Sequence, residues 1–311
     1  MNPLSMLFVA GVAFRNVLYD RGVFKAHRLA RPVISIGNIS VGGSGKTPFV
    51  IALGELLKER GISFDVLSRG YGRTSTLTKV VNAGGSPAQF GDEPLLIARK
   101  LQVPVVVGAD RYQAGLLAER KFSSQLHLLD DGFQHRRLHR DFDLVLLPRD
   151  DVSARLLPAG RLREPLSALR RADAVVLFDP MDLPVNAQIL KAERVVRLNG
   201  TGGKAFVFCG IARPRQFFEA MKSLGVAIAG QFAFGDHIRY RQADVDELLR
   251  AKQRTGADFF LTTEKDLINL GPLAAQLQPL HTAELQIKLE APEQALALIL
   301  ETIERRSGCK V

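Results

Sequence analysis

The sequence predicts an α/β protein, in which a doubly wound, mainly parallel sheet is joined to a second, smaller α/β domain. From Val33 to about Asp179, short apolar runs rich in β-branched residues alternate with stretches whose apolar residues recur at helical spacing. The chain has 311 residues, of which 46% are hydrophobic, so it can bury a large core. This alternation is typical of parallel sheets that are covered by helices on both faces.

Turn-forming residues predict where the chain divides. The segment 179–184 contains two aspartates and two prolines, which is typical of a boundary. We therefore predict an N-terminal helix in residues 1–30, a sheet domain in residues 31–180 and a smaller α/β domain in residues 181–311. Strands are expected at 32–36, 63–68, 103–107, 125–129, 142–147, 174–178, 205–209, 229–234 and 259–262, and helices at 49–60, 214–224 and 242–254.

Net charge and cysteine content indicate which partners and which cellular compartment to expect. A formal net charge of +10 favours an anionic partner, such as a phosphorylated substrate, an acidic membrane surface or nucleic acid. The sequence has no helix-turn-helix signal, no zinc spacing and no aromatic residues interleaved with basic ones, so nucleic acid is not the expected partner. The two cysteines, Cys209 and Cys309, fit no metal spacing and predict no disulfide framework, which favours a reducing cytoplasm.

The N-terminal segment predicts a helix that lies on a membrane surface. Residues 1–24 are mostly apolar, but Arg15, Asp20 and Arg21 make the segment too short and too charged to span a bilayer. It lacks the small-residue cleavage site of a secretory signal. Its apolar residues fall largely on one helical side, and a basic cluster follows at 25–31. The alternative is an ordinary helix that docks on the protein's own core. The apolar side comprises Leu4, Leu7, Phe8, Gly11, Val12, Phe14, Val17 and Leu18.

A glycine-rich segment at 37–48 predicts a phosphate-binding loop. It follows the apolar run 32–36 and precedes a helical pattern, as such a loop requires. Its glycines let backbone N–H groups converge on phosphate oxygens, while Lys46 supplies a mobile charge and Thr47 a hydroxyl for Mg²⁺. Ser40 stands where the strict pattern has glycine, and the alternative is a glycine-rich turn that only joins two elements. The predicted nucleotide-binding residues are Ser40, Val41, Gly42, Gly43, Ser44, Gly45, Lys46 and Thr47.

An apolar strand that ends in paired carboxylates predicts the second acidic element of such a site. Asp130 and Asp131 follow the run 125–129, and carboxylates at the carboxyl end of a strand can hold Mg²⁺ or its waters together with Thr47. On a strand the two side chains point in opposite directions, so only one is expected to touch the metal shell. The other would orient a neighbour or assist the nucleophile, and their separate roles stay open. The alternative is two surface aspartates in a turn before Gly132.

An ordered set of motifs covers most of the chain. They are Gly37-Asn38 through Thr47-Pro48, Ser68-Arg69-Gly70-Tyr71-Gly72-Arg73, Gly91-Asp92-Glu93-Pro94, Val107-Gly108-Ala109-Asp110-Arg111, Asp130-Asp131-Gly132-Phe133-Gln134-His135, Leu156-Leu157-Pro158-Ala159-Gly160, Leu162-Arg163-Glu164-Pro165, Phe208-Cys209-Gly210-Ile211-Ala212, Asp236-His237 and Thr262-Thr263-Glu264-Lys265-Asp266. Together they resemble the tetraacyldisaccharide 4′-kinases, the lipid A 4′-kinases of Gram-negative bacteria. The chain departs from the pattern at Arg161, where proline is expected, and at Ile238, where a second histidine is common.

The resemblance implies a lipid-sugar kinase with a P-loop NTPase-like core. Such an enzyme transfers the γ-phosphate of ATP, with Mg²⁺, to the 4′-hydroxyl of a tetraacyldisaccharide 1-phosphate and gives lipid IVA. Its acceptor carries four acyl chains, so the resemblance implies a peripheral enzyme on an anionic membrane surface, at the cytoplasmic face of the bacterial inner membrane. No protein partner is implied.

The family's functional aspartate matches Asp92, which the resemblance therefore implies as the general base. Asp92 also lies in a tight turn that opens a helix, and His237 is its expected partner, because an imidazole held against a carboxylate can orient it. Lys46 and Asp131 complete the predicted catalytic set. The alternatives are an N-cap for Asp92 and a polar turn residue for His237.

Residues that the phosphate loop does not explain are assigned to the sugar and phosphate of the acceptor. Guanidinium groups suit phosphate oxygens, although solvated surface or internal ion pairing is the alternative for each arginine. The predicted substrate residues are Arg69, Arg73, Arg111, Gln134, His135, Arg163 and Glu164.

Two further interpretations stay open at this point. A P-loop ATPase switch at the membrane is the competing function, although Val41 replaces the signature lysine that those proteins carry before their two glycines. The segment 262–266, just after a strand, either touches nucleotide or caps a helix, and capping is slightly favoured.

Overall fold

The structure, a computed structural model, describes residues 3–183, 185–200 and 202–308. The helices in these residues are α1 (Pro3–Asp20), α2 (Lys46–Glu59), α3 (Pro87–Phe90), α4 (Asp92–Leu101), α5 (Arg111–Lys121), α6 (Arg149–Val152), α7 (Pro214–Ser223), α8 (Gln242–Thr255), α9 (Glu264–Leu270) and α10 (Pro292–Ser307), with 3₁₀ turns at Leu166–Arg171 and Gly271–Gln276. The strands are β1 (Val33–Gly37), β2 (Phe64–Ser68), β3 (Lys79–Val80), β4 (Val105–Val107), β5 (Leu126–Asp130), β6 (Phe142–Leu147), β7 (Ala174–Leu177), β8 (Gln188–Leu198), β9 (Lys204–Cys209), β10 (Ala227–Ala233), β11 (Phe259–Thr263) and β12 (Leu280–Leu289).

The twelve described strands form one sheet in the order β10-β9-β11-β12-β8-β7-β6-β1-β5-β2-β4-β3. Neighbouring strands are parallel, except β8 with β12 and β3 with β4. The predicted mainly parallel α/β sheet is therefore confirmed, and every strand expected from the sequence forms close to its predicted bounds. Loops that follow β1, β2, β4 and β5 meet at one edge of the sheet, where the predicted site residues lie.

Apolar side chains alternate between the two faces of the sheet. On β6, Leu144 and Leu146 join one buried cluster, whereas Val145 and Leu147 join another. Helices α2, α4 and α10 cover the first cluster, and the 3₁₀ turn at Leu166–Arg171 covers the second. Side chains of β9 are divided between α7 and α8 in the same way. Helices on both faces make the sheet doubly wound, as predicted.

Strands β8 and β12, and helix α10, were not expected from the sequence. Residues 188–191 of β8 pair in parallel with β7, and residues 192–198 pair antiparallel with β12. One strand thus connects the two halves of the sheet through hydrogen bonds on both of its edges.

The last helix returns to the first half of the chain. Leu296, Ile299 and Ile303 of α10 are buried in the same core as side chains of α2 and β6. Arg306 at the end of this helix pairs with Asp173 at 2.6 Å. The division of the chain at residues 30 and 180 stays a prediction.

Helix α1 combines a docked polar side with exposed apolar side chains. Asn16 donates to Glu164 at 2.9 Å, and Arg136 pairs with Asp20 at 2.7 Å. Phe14 is 67% exposed and Val17 is 40% exposed. No helix in the described part of the chain has the length and apolar character needed to cross a membrane. Cys209 is buried as a free thiol, and Cys309 lies outside the described residues.

Candidate active site

The predicted phosphate loop connects β1 to α2 through glycines in the left-handed region. Gly42, Gly43 and Gly45 have φ values of 69°, 59° and 93°, which other residues rarely adopt. A Cβ on Gly42 would lie 2.6 Å from the Cβ of Ala212, and a Cβ on Gly43 would lie 2.8 Å from the side chain of Arg213. Glycine is therefore needed here both for the turn and for the close approach of the second half of the chain.

Ser40 ties this loop to a buried ionic cluster. Its hydroxyl donates to Asp151 at 2.6 Å, and both side chains are buried. Asp151 also accepts a hydrogen bond from Arg161 and, at 3.3 Å, one from Arg213. Arg161, one of the two residues that depart from the family pattern, and Arg213 thus together balance the charge of the buried Asp151 carboxylate.

Asp131 lies between two cations. Its Oδ1 is 3.4 Å from Nζ of Lys46, and its Oδ2 is 3.0 Å from the guanidinium of Arg163. Burial alone would raise the pKa of Asp131, but the charges of Lys46 and Arg163 outweigh it and lower the pKa to about 2. Gln134 accepts from Arg163 at 3.3 Å and donates to the carbonyl of Asn38 at 2.8 Å. These contacts connect the end of β5 to the phosphate loop.

Asp130 has a different environment from Asp131. Its Oδ2 accepts from Ser68 at 3.0 Å, whereas its Oδ1 is buried without a hydrogen-bond partner. Burial, together with the charges of Glu93 and Asp131, raises the pKa of Asp130 to about 7. An unpartnered buried oxygen suits a cation or its water, and Thr47 at the start of α2 is the second predicted ligand.

The described residues contain no group of three or more His, Cys, Asp or Glu side chains that could hold a metal ion by themselves.

Asp92 and His237 form a hydrogen-bonded pair. Asp92 opens α4 directly after Gly91, and His237 follows β10 with a φ of 56°. Nδ1 of His237 lies 3.0 Å from Oδ2 and 3.2 Å from Oδ1 of Asp92. Asn269 donates to the same Oδ2 at 3.1 Å. The structure therefore brings together the two residues predicted as base and partner.

The electrostatics of this pair favour an ionised carboxylate. Burial would raise the pKa of Asp92, but the hydrogen bond from His237 and the charge of Lys265 outweigh it and hold the pKa well below its usual range. Burial would lower the pKa of His237, and the hydrogen bond to Asp92 raises it instead. The ring of Tyr71 lies 4.9 Å from the imidazole, centroid to centroid, and covers one side of it.

Three of the predicted substrate residues lie beside the carboxylates with unused polar groups. Arg69 is exposed after β2 and makes no ion pair in the described part of the chain. Arg111 is buried, donates to the carbonyl of Ala109 at 2.7 Å and has an unpartnered Nε. Burial and the charge of Arg69 lower the pKa of Arg111 to about 10. Burial and the charge of Arg111 lower the pKa of His135 to about 4, and its Nε2 is buried without a partner.

Two other predicted substrate residues already have partners within the protein. Arg73 donates to the carbonyl of Leu77 at 2.5 Å and so closes its own loop. Glu164 is buried and accepts from Arg171 and from Asn16, each at 2.9 Å. For Arg73 this geometry favours internal pairing over contact with an acceptor, whereas Glu164 uses only Oε2 in these contacts and its Oε1 is buried without a partner.

Comparison with known proteins identifies the family. A model described as tetraacyldisaccharide-1-P 4′-kinase, LpxK, matches residues 1–304. The chain belongs to this family. Among tetraacyldisaccharide 4′-kinases, that of Koribacter versatilis is 50% identical over 99% of this chain and 100% of its own length. That of Aquifex aeolicus is 39% identical, with 96% of each chain covered.

A solved structure extends the comparison to the fold. The crystal structure of an "apo" form of LpxK from Aquifex aeolicus, in complex with ATP, matches with a TM-score of 0.80 and 38% identity. The match covers 97% of this chain and 98% of that one. Membership of the tetraacyldisaccharide-1-P 4′-kinase family confirms the predicted family and the predicted kinase class, and the fold confirms the P-loop NTPase-like α/β core. The roles of single residues stay predictions.

Sequence reasoning missed part of this tetraacyldisaccharide-1-P 4′-kinase site. Asp151 was not expected to hold the phosphate loop, and Asn269 was not expected to touch Asp92. Segment 262–266 was expected to cap a helix, and Thr263 does cap α9 by accepting from the backbone N–H of Asp266 at 3.1 Å. Lys265, in the same segment, contacts the Asp92–His237 pair. The only signal for this contact was the position of the segment directly after a strand.

Proposed function

We propose that the chain transfers the γ-phosphoryl group of ATP to the 4′-hydroxyl of tetraacyldisaccharide 1-phosphate and forms lipid IVA, in lipid A biosynthesis. The observation that carries this proposal is the Asp92–His237 pair, 3.0 Å apart, at the edge of the sheet that also carries the phosphate loop. The charge of Glu93, next to Asp92, acts on Asp130, so the start of α4 faces the acidic pair. Membership of the kinase family supports this function over an ATPase switch.

The proposed reaction begins with a proton transfer. Asp92 accepts the proton of the 4′-hydroxyl as that oxygen forms its bond to the γ-phosphorus, and the bond between this phosphorus and the β–γ bridging oxygen breaks to release ADP. Asp92 suits this role because it is ionised, and because His237 and Asn269 fix its orientation. A positioned base of this kind contributes about 10²- to 10⁴-fold to a rate.

Lys46, Thr47 and the acidic pair provide for the phosphates. Lys46 would neutralise phosphate charge, and Thr47 and the free Oδ1 of Asp130 would hold Mg²⁺. Bound there, Mg²⁺ supplies further neutralisation of the phosphate charge that develops during transfer. Asp131, already neutralised by Lys46 and Arg163, would keep both cations in place until phosphate arrives.

We propose that the phosphate of the acceptor binds to basic side chains beside the site. Arg69 and Arg111 are near enough for the charge of one to lower the pKa of the other, so an anion between them would relieve repulsion. Gln134 and His135 follow β5, and Arg163 reaches the same place because it donates to Gln134 at 3.3 Å. These five residues form the proposed acceptor surface.

We further propose that α1 places the enzyme on the cytoplasmic face of the inner membrane as a peripheral protein. Phe14 and Val17 are exposed on α1, and Val23 (63% exposed) and Phe24 (44% exposed) follow it. A basic cluster, 25–31, lies next in the chain. Exposed apolar side chains beside basic ones are typical of helices that lie on anionic lipid.

Phosphate transfer in mixed micelles tests the enzymatic proposal. We would supply γ-labelled ATP, Mg²⁺ and tetraacyldisaccharide 1-phosphate, with a matched reaction that lacks the lipid. A labelled lipid bisphosphate that is formed only when all three are present is the expected result. Hydrolysis of ATP at an equal rate without lipid would contradict the proposal and favour the switch.

Co-sedimentation with vesicles tests the membrane proposal. Vesicles that contain phosphatidylglycerol should retain the protein, and Phe14→Ser should weaken retention. The matched control is Leu224→Ser, which changes an apolar side chain that is 47% exposed at the end of α7. Retention that neither Phe14→Ser nor added salt reduces would contradict it, since the electrostatic part is screened within about 10 Å at 0.1 M salt.

A further inference from the structure

Lys265 is a partly buried cation that no predicted role explains. It lies in the first turn of α9, which Thr263 caps, and its side chain is only 18% exposed. Two hydrogen bonds between Thr263 and Asp266 fix this turn: the Thr263 hydroxyl donates to the Asp266 carboxylate at 2.6 Å and accepts from the Asp266 backbone N–H at 3.1 Å. The cap therefore fixes the direction in which the lysine leaves the helix.

The ammonium of Lys265 contacts both members of the Asp92–His237 pair. Nζ lies 3.4 Å from Nε2 of His237 and 3.6 Å from Oδ2 of Asp92. It also lies 3.2 Å from Asp236 and 3.8 Å from Glu93. Three carboxylates thus surround one ammonium. Burial alone would lower the pKa of Lys265, but these carboxylates outweigh it and raise the pKa, so the ammonium stays charged and paired.

We propose that Lys265 is a positioning residue of the phosphotransfer site, whose ammonium donates to Nε2 of His237 and so keeps the imidazole proton on Nδ1, facing Asp92. This inference rests on the proposed function. An ammonium has no acceptor, so a hydrogen bond between Nζ and Nε2 requires the lone pair of a neutral imidazole on Nε2. The tautomer with its proton on Nδ1 then donates to Asp92 and orients its carboxylate, whose Oδ1 also accepts from the backbone N–H of Glu93 at 2.9 Å.

The charged groups that face the pair define what removal of Lys265 would do. His237 and Asp236 come from the loop after β10, Lys265 comes from α9, and Glu93 is the neighbour of Asp92 on α4. The uncharged Asn269 and Tyr71 complete the surroundings. Arg239 lines the same small cavity, but its guanidinium donates to the carbonyl of Gly72, so Lys265 is the one permanent cation among these residues that contacts the pair. The charge of Lys265 lowers the pKa of both Asp92 and His237, so its removal should raise both. The pH profile should therefore move upward whichever member of the pair takes up the proton.

The pH profile of kcat/KM tests this role with Lys265→Met and Lys265→Arg. We expect Lys265→Met to lower kcat about 10- to 100-fold at pH 7, to move the acidic limb about one pH unit upward, and to leave KM for ATP unchanged. Lys265→Arg keeps the charge and should recover part of the rate. An acidic limb that does not move, or a loss confined to KM, would overturn the proposal.

Lys100→Met is the matched control. Lys100 also bridges the two halves of the chain, because it pairs with Glu264 at 2.5 Å and with Glu284 at 2.8 Å, but it does not touch Asp92 or His237. This variant should lose some thermal stability and keep the wild-type pH profile. An equal shift in both variants would mean that Lys265 acts only by joining the halves.

A readout that needs no acceptor separates this inference from the proposed function. The ¹⁵N chemical shifts of the six histidines report tautomer and titration in the free protein, and His237→Gln assigns the signal. Above the pKa of His237 we expect a proton on Nδ1 and an unprotonated Nε2 in the wild type, and in Lys265→Met we expect the titration of this ring to move to higher pH. The same spectra in both proteins would refute the role of Lys265, even if the kinase reaction is confirmed.

Discussion

Nδ1 of His237 lies 3.0 Å from Oδ2 of Asp92, although 145 residues separate them in the chain. Asp92 belongs to the half that carries the phosphate loop, and His237 follows a strand of the other half. The pair therefore exists only when the two halves of the sheet are packed as one.

Asp92→Asn should separate chemistry from binding. The amide keeps the shape of the carboxylate but accepts no proton, so we expect turnover to fall about 10²- to 10⁴-fold. ATP affinity, measured with a fluorescent analogue, should stay unchanged, because Asp92 contacts His237 and Asn269 and no residue of the phosphate loop. An ATP affinity that falls as far as turnover would contradict Asp92 as the base.

Lys46→Ala should have the opposite pattern. Lys46 is the first residue of α2, and its ammonium lies 3.4 Å from Asp131. Because this ammonium is the predicted partner of the phosphates, its loss should both weaken ATP binding and abolish turnover. Lys58→Ala, near the end of the same helix, removes a hydrogen bond of 2.9 Å to the carbonyl of Leu101. This control should cost about 1 kcal/mol of unfolding free energy and leave ATP binding intact. Unchanged ATP affinity in Lys46→Ala would contradict the phosphate-loop assignment.

Asp151→Asn should loosen the phosphate loop from outside the site. Asp151 is fully buried between Arg161 and Arg213 and orients Ser40, so removal of its charge leaves two guanidinium groups uncompensated. We expect a loss of about 3 kcal/mol in unfolding free energy and weaker ATP binding. Asp150→Asn is the neighbouring control, since its side chain is 61% exposed and should contribute within about 0.5 kcal/mol. Equal denaturation midpoints for the two variants would refute the structural role of Asp151.

His127 should make stability depend on pH. Burial would lower its pKa, but Asp65, at 2.8 Å, and Glu119, at 3.5 Å, raise the pKa from 6.5 to about 9. Because the pKa is higher in the folded state, this stabilisation is complete below pH 6.5 and is lost as the pH rises through about 9. The full effect is at most about 3 kcal/mol. Urea unfolding of the wild type and of His127→Gln should differ most at pH 6 and least above pH 9, and a difference that stays constant with pH would contradict this.

Sequence predicted the elements whose signal is local. The phosphate loop could be recognised because glycines, Lys46 and Thr47 follow one another between an apolar strand and a helix. Strands such as β6 were found because they are nearly all apolar, as buried parallel strands are. Strand β8 was missed because it is mostly exposed and carries charged residues throughout, so only its pairing with β7 and β12 defines it.

Prediction of the site from the sequence has the same limit: it finds local motifs but not contacts between distant residues. Asp92 and His237 were named from a family resemblance and from local turn geometry, but their contact is non-local and only the fold provides it. For Glu164, the sequence could not distinguish an acceptor contact from the internal ion pair with Arg171 that the structure contains. Lys265 sits in a segment whose cap was foreseen, yet the direction of its side chain depends on how α9 packs against α4. Contacts between the two halves of the sheet are thus the part of the site that could not be predicted from the sequence.

Ile299→Ala tests whether the last helix stabilises the first half of the chain. Ile299 is 1% exposed and shares a core with α2 and β6, so its truncation should lower the unfolding free energy by about 2 to 5 kcal/mol. Hydrogen exchange should then quicken in β1 and β6, which lie far from residue 299 in sequence. Glu301→Ala, on the exposed side of α10, should change neither stability nor exchange. Faster exchange confined to β9, β10 and β11 would instead mean that residues 181–311 fold as a separate domain with α10 as one of its own helices.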